Sequence, residues 1–166
     1  NCQLMMTTGT VSSAELMKER LPTRAFHQYI PIDKPNYIRR FIEHWKPDII
    51  LWTESEFWPN IIIEIRNRKI PMMLINGRIS NKSFTNWQWA PGLIKTLLQS
   101  FTLCLGQSDI DVDRLNQLGA LNAKNLGNLK FSTPPLPADI NLLKALKLKI
   151  GVRPVCLAAS THAGEE

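Results

Sequence analysis

Two carboxylates, Glu54 and Glu56, directly follow the short apolar run at residues 49–52 (IILW). The bulky segment at residues 57–59 (FWP) comes immediately after them. A carboxylate at a strand end beside apolar bulk can lose hydration and become reactive. The alternative is helix capping, since acidic side chains are favoured at helix N-termini. The pattern alone leaves both interpretations open.

Two cationic side chains occupy similar positions after other apolar runs. Arg78 follows the run at residues 70–75 after a turn at Asn76 and Gly77, and Lys130 directly follows residues 125–129. The arginine fork can grip a phosphate or a carboxylate, and the lysine ammonium can neutralise a phosphate. The alternatives are a solvated arginine in an exposed turn and an ordinary surface lysine.

A third group lies near the end of the chain. Ser160, Thr161, His162 and Glu165 follow the apolar run at residues 155–159. A turn of small residues between a strand and a helix suits a phosphate. The spacing is neither a Walker loop nor a dinucleotide fingerprint, so the group by itself is a weak signal.

Short apolar runs alternate with amphipathic stretches along the first 131 residues. This alternation predicts an α/β fold with a doubly wound parallel sheet, in which ligands bind at the carboxyl ends of the strands. Glu54, Arg78 and Lys130 should therefore lie at one edge of the sheet. The unbroken apolar run at residues 49–52 predicts a strand that is buried on both faces. The predicted strands are residues 3–8, 25–30, 49–52, 70–75, 101–105 and 125–129.

Three prolines fall within residues 132–137 (STPPLP), which can continue neither a helix nor a central strand. We therefore expect a Rossmann-like domain at residues 1–131 and a linker at residues 132–138. Residues 139–166 would begin a second domain, with a helix at residues 139–150 and a strand at residues 155–159. The first residue is Asn1 rather than Met, and we expect an interior piece of a longer protein.

Composition narrows the function classes. The net charge of +6 favours anionic partners, such as phosphorylated ligands or an acidic membrane surface, but no nucleic-acid-binding signature is present. The three cysteines are scattered without a CxxC pair, which argues against a disulfide framework or a zinc site. No apolar run reaches 18 residues, so no transmembrane helix is expected.

Four segments resemble, in order, the motifs of the Kdo (3-deoxy-D-manno-octulosonic acid) transferase family. The segment TESEFWPN resembles the motif ETELWPN, NGRIS resembles NARLS, GNLKF is the same in both, and LAASTHAGEE resembles AASTHEGEE. Residues 7–10 (TTGT) match a TTxT strand end more loosely. Gly77 stands for the usual alanine and Phe57 for the usual leucine. The four segments are residues 53–60, 76–80, 127–131 and 157–166.

The resemblance implies a GT-B glycosyltransferase with two Rossmann-like domains facing a cleft. The donor would be CMP-Kdo and the acceptor a phosphorylated lipid A precursor. The reaction would invert the anomeric centre and need neither a metal nor a cofactor. It would take place at the cytoplasmic face of the bacterial inner membrane.

The resemblance also implies roles for individual residues. Glu54 and Lys130 would stabilise the transition state, and the general base would be a glutamate preceding residue 1. The alternatives are a degenerate, non-catalytic remnant or binding module of the same fold, and another GT-B sugar transferase. Substrate-binding roles would fall to Arg78, Glu56, Ser160, Thr161, His162 and Glu165.

Overall fold

The computed structural model describes residues 2–135 and 137–162 of the chain. It divides into two compact units, one ending at Ser132 and the other beginning at Thr133. The elements of the first unit are β1 (Leu4–Thr8), α1 (Val11–Arg20), β2 (Ala25–Tyr29), α2 (Pro35–Trp45), β3 (Ile50–Thr53), α3 (Pro59–Asn67), β4 (Met72–Gly77), α4 (Asn81–Trp87), α5 (Pro91–Leu98), β5 (Leu103–Gly106), α6 (Asp109–Gln117), β6 (Ala123–Asn125) and a 3-10 helix (Leu129–Ser132). The second unit contains α7 (Ile140–Ile150).

All the strand pairings are parallel. β1 pairs with β2, and β3, β4, β5 and β6 form a second sheet in that order. The α/β class with parallel sheets is therefore confirmed, although the strands lie in two sheets rather than one. All the carboxyl ends of the four-stranded sheet point in one direction, so the loops after its strands share one edge.

The position of β3 corrects one expectation. Within the described residues β3 pairs with β4 alone, and Ile49 and Leu51 are 55% and 52% exposed. The prediction of a strand buried on both faces is therefore wrong for residues 49–52. An unbroken apolar run does not distinguish a central strand from one with a neighbour on one side only.

The core of the first unit lies around the two middle strands of the larger sheet. Met72 and Leu74 of β4 and Cys104 of β5 are almost fully buried. Helices α3, α5 and α6 contribute the apolar side chains that cover these strands. They include Ile62, Ile65, Leu97, Leu98 and Leu115. This packing fixes the strands whose ends carry the candidate site.

An ion-pair cluster joins α2 to α3. Arg68 donates to the carboxylates of Glu43 and Glu64, each at 2.8 Å. The hydrogen bond to Glu43 and then that to Glu64 raise the pKa of Arg68 above its ordinary value. The three groups are partly exposed, so their contribution to stability is small and sensitive to salt.

Three segments differ from the sequence-based expectation. The strand expected at residues 125–129 occurs earlier, at Ala123–Asn125, and Asn76 and Gly77 end β4 instead of forming a turn. The strand expected at residues 155–159 is absent from the described residues. An apolar run becomes a strand only when a neighbour completes its backbone hydrogen bonds, and local sequence does not provide that neighbour.

Helix α7 of the second unit begins after Asp139, whose carboxylate accepts the backbone N–H groups of Asn141 and Leu142. Asp139 is a helix cap, the role that short acidic side chains commonly have at this position. Across the described part of the chain, no helix has the length and apolar character needed to span a bilayer.

Candidate functional site

Glu54 and Lys130 meet at the carboxyl edge of the four-stranded sheet. Glu54 follows β3 directly in the left-handed backbone region, with φ of 59°, and its N–H donates to the carbonyl of Ile75 at 3.0 Å. The Nζ of Lys130 lies 3.9 Å from Oε1 of Glu54. The side chains of Glu54 and Lys130 are 56% and 74% exposed. The pair is therefore open to solvent and to a ligand.

The approach of Lys130 to Glu54 requires the chain to fold back across the sheet. Two strands separate β3 from β6, which corresponds to roughly 14 Å at the usual strand spacing. After Asn125 the backbone turns at Gly127, with φ of 76°, and the side chain of Asn125 accepts the N–H of Gly127 at 2.8 Å. The 3-10 helix that carries Lys130 then lies over the end of β4.

Side-chain amides attach this returning segment to the sheet. Oδ1 of Asn76, at the end of β4, accepts the N–H of Leu129 at 3.1 Å. Gln107, just after β5, donates through Nε2 to the Asn76 carbonyl at 3.0 Å and accepts from Nδ2 of Asn128 at 3.2 Å. The ends of two neighbouring strands thus hold the segment that positions Lys130.

The loops after β3 and β4 also contact each other. The backbone N–H of Arg78 donates to the hydroxyl of Ser55 at 2.9 Å, which brings Arg78 beside the Glu54 loop. The Arg78 side chain is exposed. The backbone carbonyl of Glu56 accepts from the indole of Trp52 at 3.1 Å. Among the described residues the Glu56 carboxylate forms no ion pair, unlike that of Glu54.

A buried acid supports the loop after β4 from behind. Asp111 of α6 is 7% exposed, and its Oδ1 accepts the N–H of Ile79 at 2.9 Å. Its other oxygen accepts the hydroxyl of Ser108, the residue that caps α6, at 2.6 Å. Arg114, one turn further along α6, donates to the carbonyl of Ile79 and to the side chain of Asn81. Helix α6 therefore fixes the path of the chain beyond Arg78.

The remaining predicted site residues lie elsewhere. Ser160, Thr161 and His162 belong to the second unit and are exposed there, and Ser160 has φ of 56°. Glu165 lies outside the described residues. Their expected contacts with a nucleotide stay a prediction.

The network of Asn76, Gln107 and Asn128 was not identified as functional from the sequence. Two of its members, Asn76 and Asn128, lie inside motif segments in which only Arg78 and Lys130 were predicted to be functional. The available signal was the accumulation of side-chain amides at three consecutive strand ends, because such groups often hold backbone that leaves a sheet.

The chemistry open to this edge is electrostatic. An exposed pair of this kind contributes only about 0–1 kcal/mol to stability, so the fold does not depend on it. Together the ammonium and the carboxylate can face a substrate that develops both negative and positive charge. Within residues 2–135 and 137–162, no group of three or more His, Cys, Asp or Glu side chains is arranged to hold a metal ion.

A parallel α/β domain with charged side chains at the carboxyl edge of its sheet defines a class of proteins that bind their ligands at that edge. Residues 1–133 match the family described as 3-deoxy-D-manno-octulosonic-acid transferase (Kdo transferase). The chain belongs to this family of glycosyltransferases, and Glu54, Arg78 and Lys130 all lie within the matched region.

Individual relatives agree with the family assignment. The 3-deoxy-D-manno-octulosonic acid transferase of Rickettsia typhi is 37% identical over 166 residues, which cover 100% of this chain and 36% of that protein. A probable mitochondrial 3-deoxy-D-manno-octulosonic acid transferase of Arabidopsis thaliana is 36% identical, covering 98% and 38%. The transferase of the same name from Haemophilus influenzae is 32% identical, covering 98% and 39%. The chain thus spans somewhat more than a third of the length of these relatives.

Proposed function

We propose that this chain forms part of an enzyme that transfers Kdo from CMP-Kdo to a phosphorylated lipid A precursor. The observation that carries the proposal is the meeting of Glu54 and Lys130 at 3.9 Å. These residues are far apart in sequence, belong to two different motifs of the resemblance, and lie within the region matched to the family. A shared position at the ligand-binding edge favours a shared function.

The proposed roles follow from the charges in the reaction. The bond between the anomeric carbon and the phosphate oxygen breaks, and CMP leaves with the electron pair. The acceptor hydroxyl forms the new bond and gives its proton to a glutamate base expected outside this chain. Lys130 would stabilise the negative charge of the departing phosphate or of the Kdo carboxylate. Glu54 would stabilise the positive character of the anomeric centre, as carboxylates do in glycosyl transfer.

The substrates explain the expected surroundings of the enzyme. Both donor and acceptor are anionic, and the net charge of +6 suits them and the acidic surface of a membrane. We place the reaction at the cytoplasmic face of the bacterial inner membrane, without a metal ion or cofactor and with inversion of the anomeric centre. Arg78 would bind an anionic substrate group through its exposed guanidinium.

The test is a transfer assay on a chimeric protein. Residues 1–166 replace the aligned 166 residues of the Rickettsia typhi relative, and the product of CMP-Kdo and a phosphorylated lipid A precursor is followed by mass spectrometry. We expect Kdo transfer that persists in EDTA. The unaltered relative, assayed in parallel, is the positive control. A folded chimera that transfers no Kdo while the relative does would refute the proposal and favour the non-catalytic remnant.

A further inference from the structure

The segment that carries Lys130 is held to the sheet almost without apolar burial. Leu129 and Phe131, the residues on either side of Lys130, are 54% and 89% exposed. Hydrophobic contacts therefore do little to fix this segment within the first unit. Its position depends on polar contacts. Among the described residues, the hydrogen bond from Leu129 to Asn76 joins it directly to the end of β4.

Asn76 is well suited to hold the segment that contains Leu129 and Lys130. Its backbone adopts the left-handed region, with φ of 54°, which asparagine tolerates far better than most residues. Asn76 is 8% exposed in the folded chain, so its hydrogen bonds compete little with water. Its backbone carbonyl accepts from Gln107, whose side chain also accepts from Asn128, so a second hydrogen-bonded path joins Asn76 to the same segment.

We propose that Asn76 is a positioning residue: its side-chain carbonyl holds Leu129 and thereby keeps the ammonium of Lys130 beside Glu54. Asn76 itself does not face the reacting groups. Its effect on turnover rests on the proposed function, whereas its effect on the position of Lys130 does not. The role is distinct from general support of the fold, because the segment it holds contributes little to the core.

Three substitutions separate the parts of this role. Asn76→Gly keeps the left-handed backbone accessible but removes the acceptor. Asn76→Asp keeps both the acceptor and the tolerance for that backbone. Asn122→Ala is the matched control, since the Asn122 side chain donates to the carbonyl of Thr102 at the opposite, amino-terminal edge of the same sheet.

The position of Lys130 can be read by zero-length cross-linking of the 166-residue chain. A carbodiimide activates the Glu54 carboxylate, and the Lys130 amine attacks it only when the two groups are in contact. We expect the Glu54–Lys130 cross-link in the wild type and in Asn122→Ala. In Asn76→Gly, loss of one hydrogen bond should lower both the cross-link yield and the exchange protection of the Leu129 amide about fivefold.

The remaining outcomes are equally decisive. Asn76→Asp should retain the protection of the Leu129 amide. If Asn76→Gly stays folded by circular dichroism and keeps the wild-type cross-link yield and amide protection, the positioning role is refuted. The same conclusion follows if Asn122→Ala lowers the cross-link as much as Asn76→Gly, since the effect would then be general.

An activity measurement in the chimera tests the catalytic consequence. Asn76→Gly should reduce kcat on its own but cause no further loss in a protein that already carries Lys130→Met, because both changes remove the same ammonium from the same place. If Asn76→Gly lowers kcat by the same factor with and without Lys130→Met, the positioning role of Asn76 is contradicted. If the unsubstituted chimera is inactive, the proposed function fails, while the cross-linking result still decides whether Asn76 positions Lys130.

Discussion

The carboxylate of Asp33, a residue between β2 and α2, accepts the backbone N–H of Ile61 at 3.0 Å in the first turn of α3. It also accepts the backbone N–H of Asn60 at 3.1 Å. The residue that immediately precedes α3, Trp58, provides no side-chain cap. An acid from a distant loop thus completes this helix and occupies its amino end. The backbone N–H groups of Asn60 and Ile61, close to the Glu54 loop, therefore already have an acceptor and are not free to bind an anion.

Replacement of Asp33 should therefore cost stability. We expect Asp33→Ala to lower the free energy of unfolding by about 1 kcal/mol, the usual cost of a lost helix cap. Urea denaturation followed by far-UV circular dichroism measures this loss. Asp48→Ala is the control, because Asp48 is exposed and makes no comparable contact with any residue that the structure describes. Equal midpoints for the two variants would show that the cap is energetically unimportant.

The proposed catalytic pair makes a prediction about turnover. In the chimeric transferase, Glu54→Gln and Lys130→Met should each lower kcat by about 10²–10³, the typical loss when one charge stabiliser is removed. Glu56→Gln should have a much smaller effect, because among the described residues Lys130 pairs with the carboxylate of Glu54 and not with that of Glu56. Folding of each variant is checked by circular dichroism.

A different outcome would identify a different site. If the folded Glu54 and Lys130 variants retain turnover within a factor of about three of the wild type, far above the loss expected for a charge stabiliser, the assignment is incorrect. A large loss in Glu56→Gln with little change in Glu54→Gln would move the role to the second acid of the motif.

The buried acid of α6 should matter to stability rather than to chemistry. Asp111→Ala leaves the buried N–H of Ile79 without its acceptor, and we expect a loss of about 1–3 kcal/mol. Asp113→Ala, on the same helix but exposed, is the matched control and should change stability little. Thermal and urea unfolding of the two variants measure the difference. Similar losses in both would mean that the Ile79 contact is not a main support of the loop.

Thiol accessibility gives a prediction with a pH dependence. Burial raises the pKa of Cys104 from 9.0 to about 12, whereas Cys2 and Cys156 are exposed. At pH 8 a thiol reagent should label Cys2 and Cys156 quickly and Cys104 only after denaturation. Rapid labelling of all three thiols in the folded chain would contradict the buried position of Cys104.

The same thiol should make stability decrease at alkaline pH. Between pH 9 and 12 the unfolded chain loses the Cys104 proton while the folded chain keeps it, so the unfolded state binds fewer protons. Cys104→Ala removes this ionisation and creates a small cavity, so it should be less stable at pH 8 by an amount that shrinks above pH 9. Urea midpoints at pH 8, 9 and 10 measure the trend. A constant difference would contradict the predicted linkage.

Local pattern predicted the helices well. In α2 the apolar side chains Tyr37, Ile38, Phe41, Ile42 and Trp45 recur at helical spacing, and Pro59 stands in the first turn of α3, where proline is favoured. These features succeed because a helix closes its hydrogen bonds within a few residues of itself. The shared location of Glu54 and Lys130 could be predicted from one further rule: parallel strands present their carboxyl ends at a common edge of the sheet.

Long-range partners could not be predicted in the same way. Leu126 and Leu129 suggested that a strand continues beyond Asn125, yet both side chains are exposed because the chain leaves the sheet there. The hydrogen bond from Leu129 to Asn76 joins residues far apart in sequence, and no local pattern specifies such a pair. The contact between Leu129 and Asn76 is therefore apparent only from the three-dimensional structure.

The exposed side of β3 has a consequence for the handling of this chain in concentrated solution. Within the part of the chain that the structure describes, β3 has a strand neighbour on one side only, and Ile49 and Leu51 are about half exposed, so its other side is a template to which another chain can add. Purified samples should therefore tend to self-associate as concentration rises, with Ile49 and Leu51 at the point of contact. The Leu51→Lys variant would place a charge on that strand and should remain monomeric at higher concentration. Natural proteins often carry lysine on edge strands, where it prevents edge-to-edge pairing.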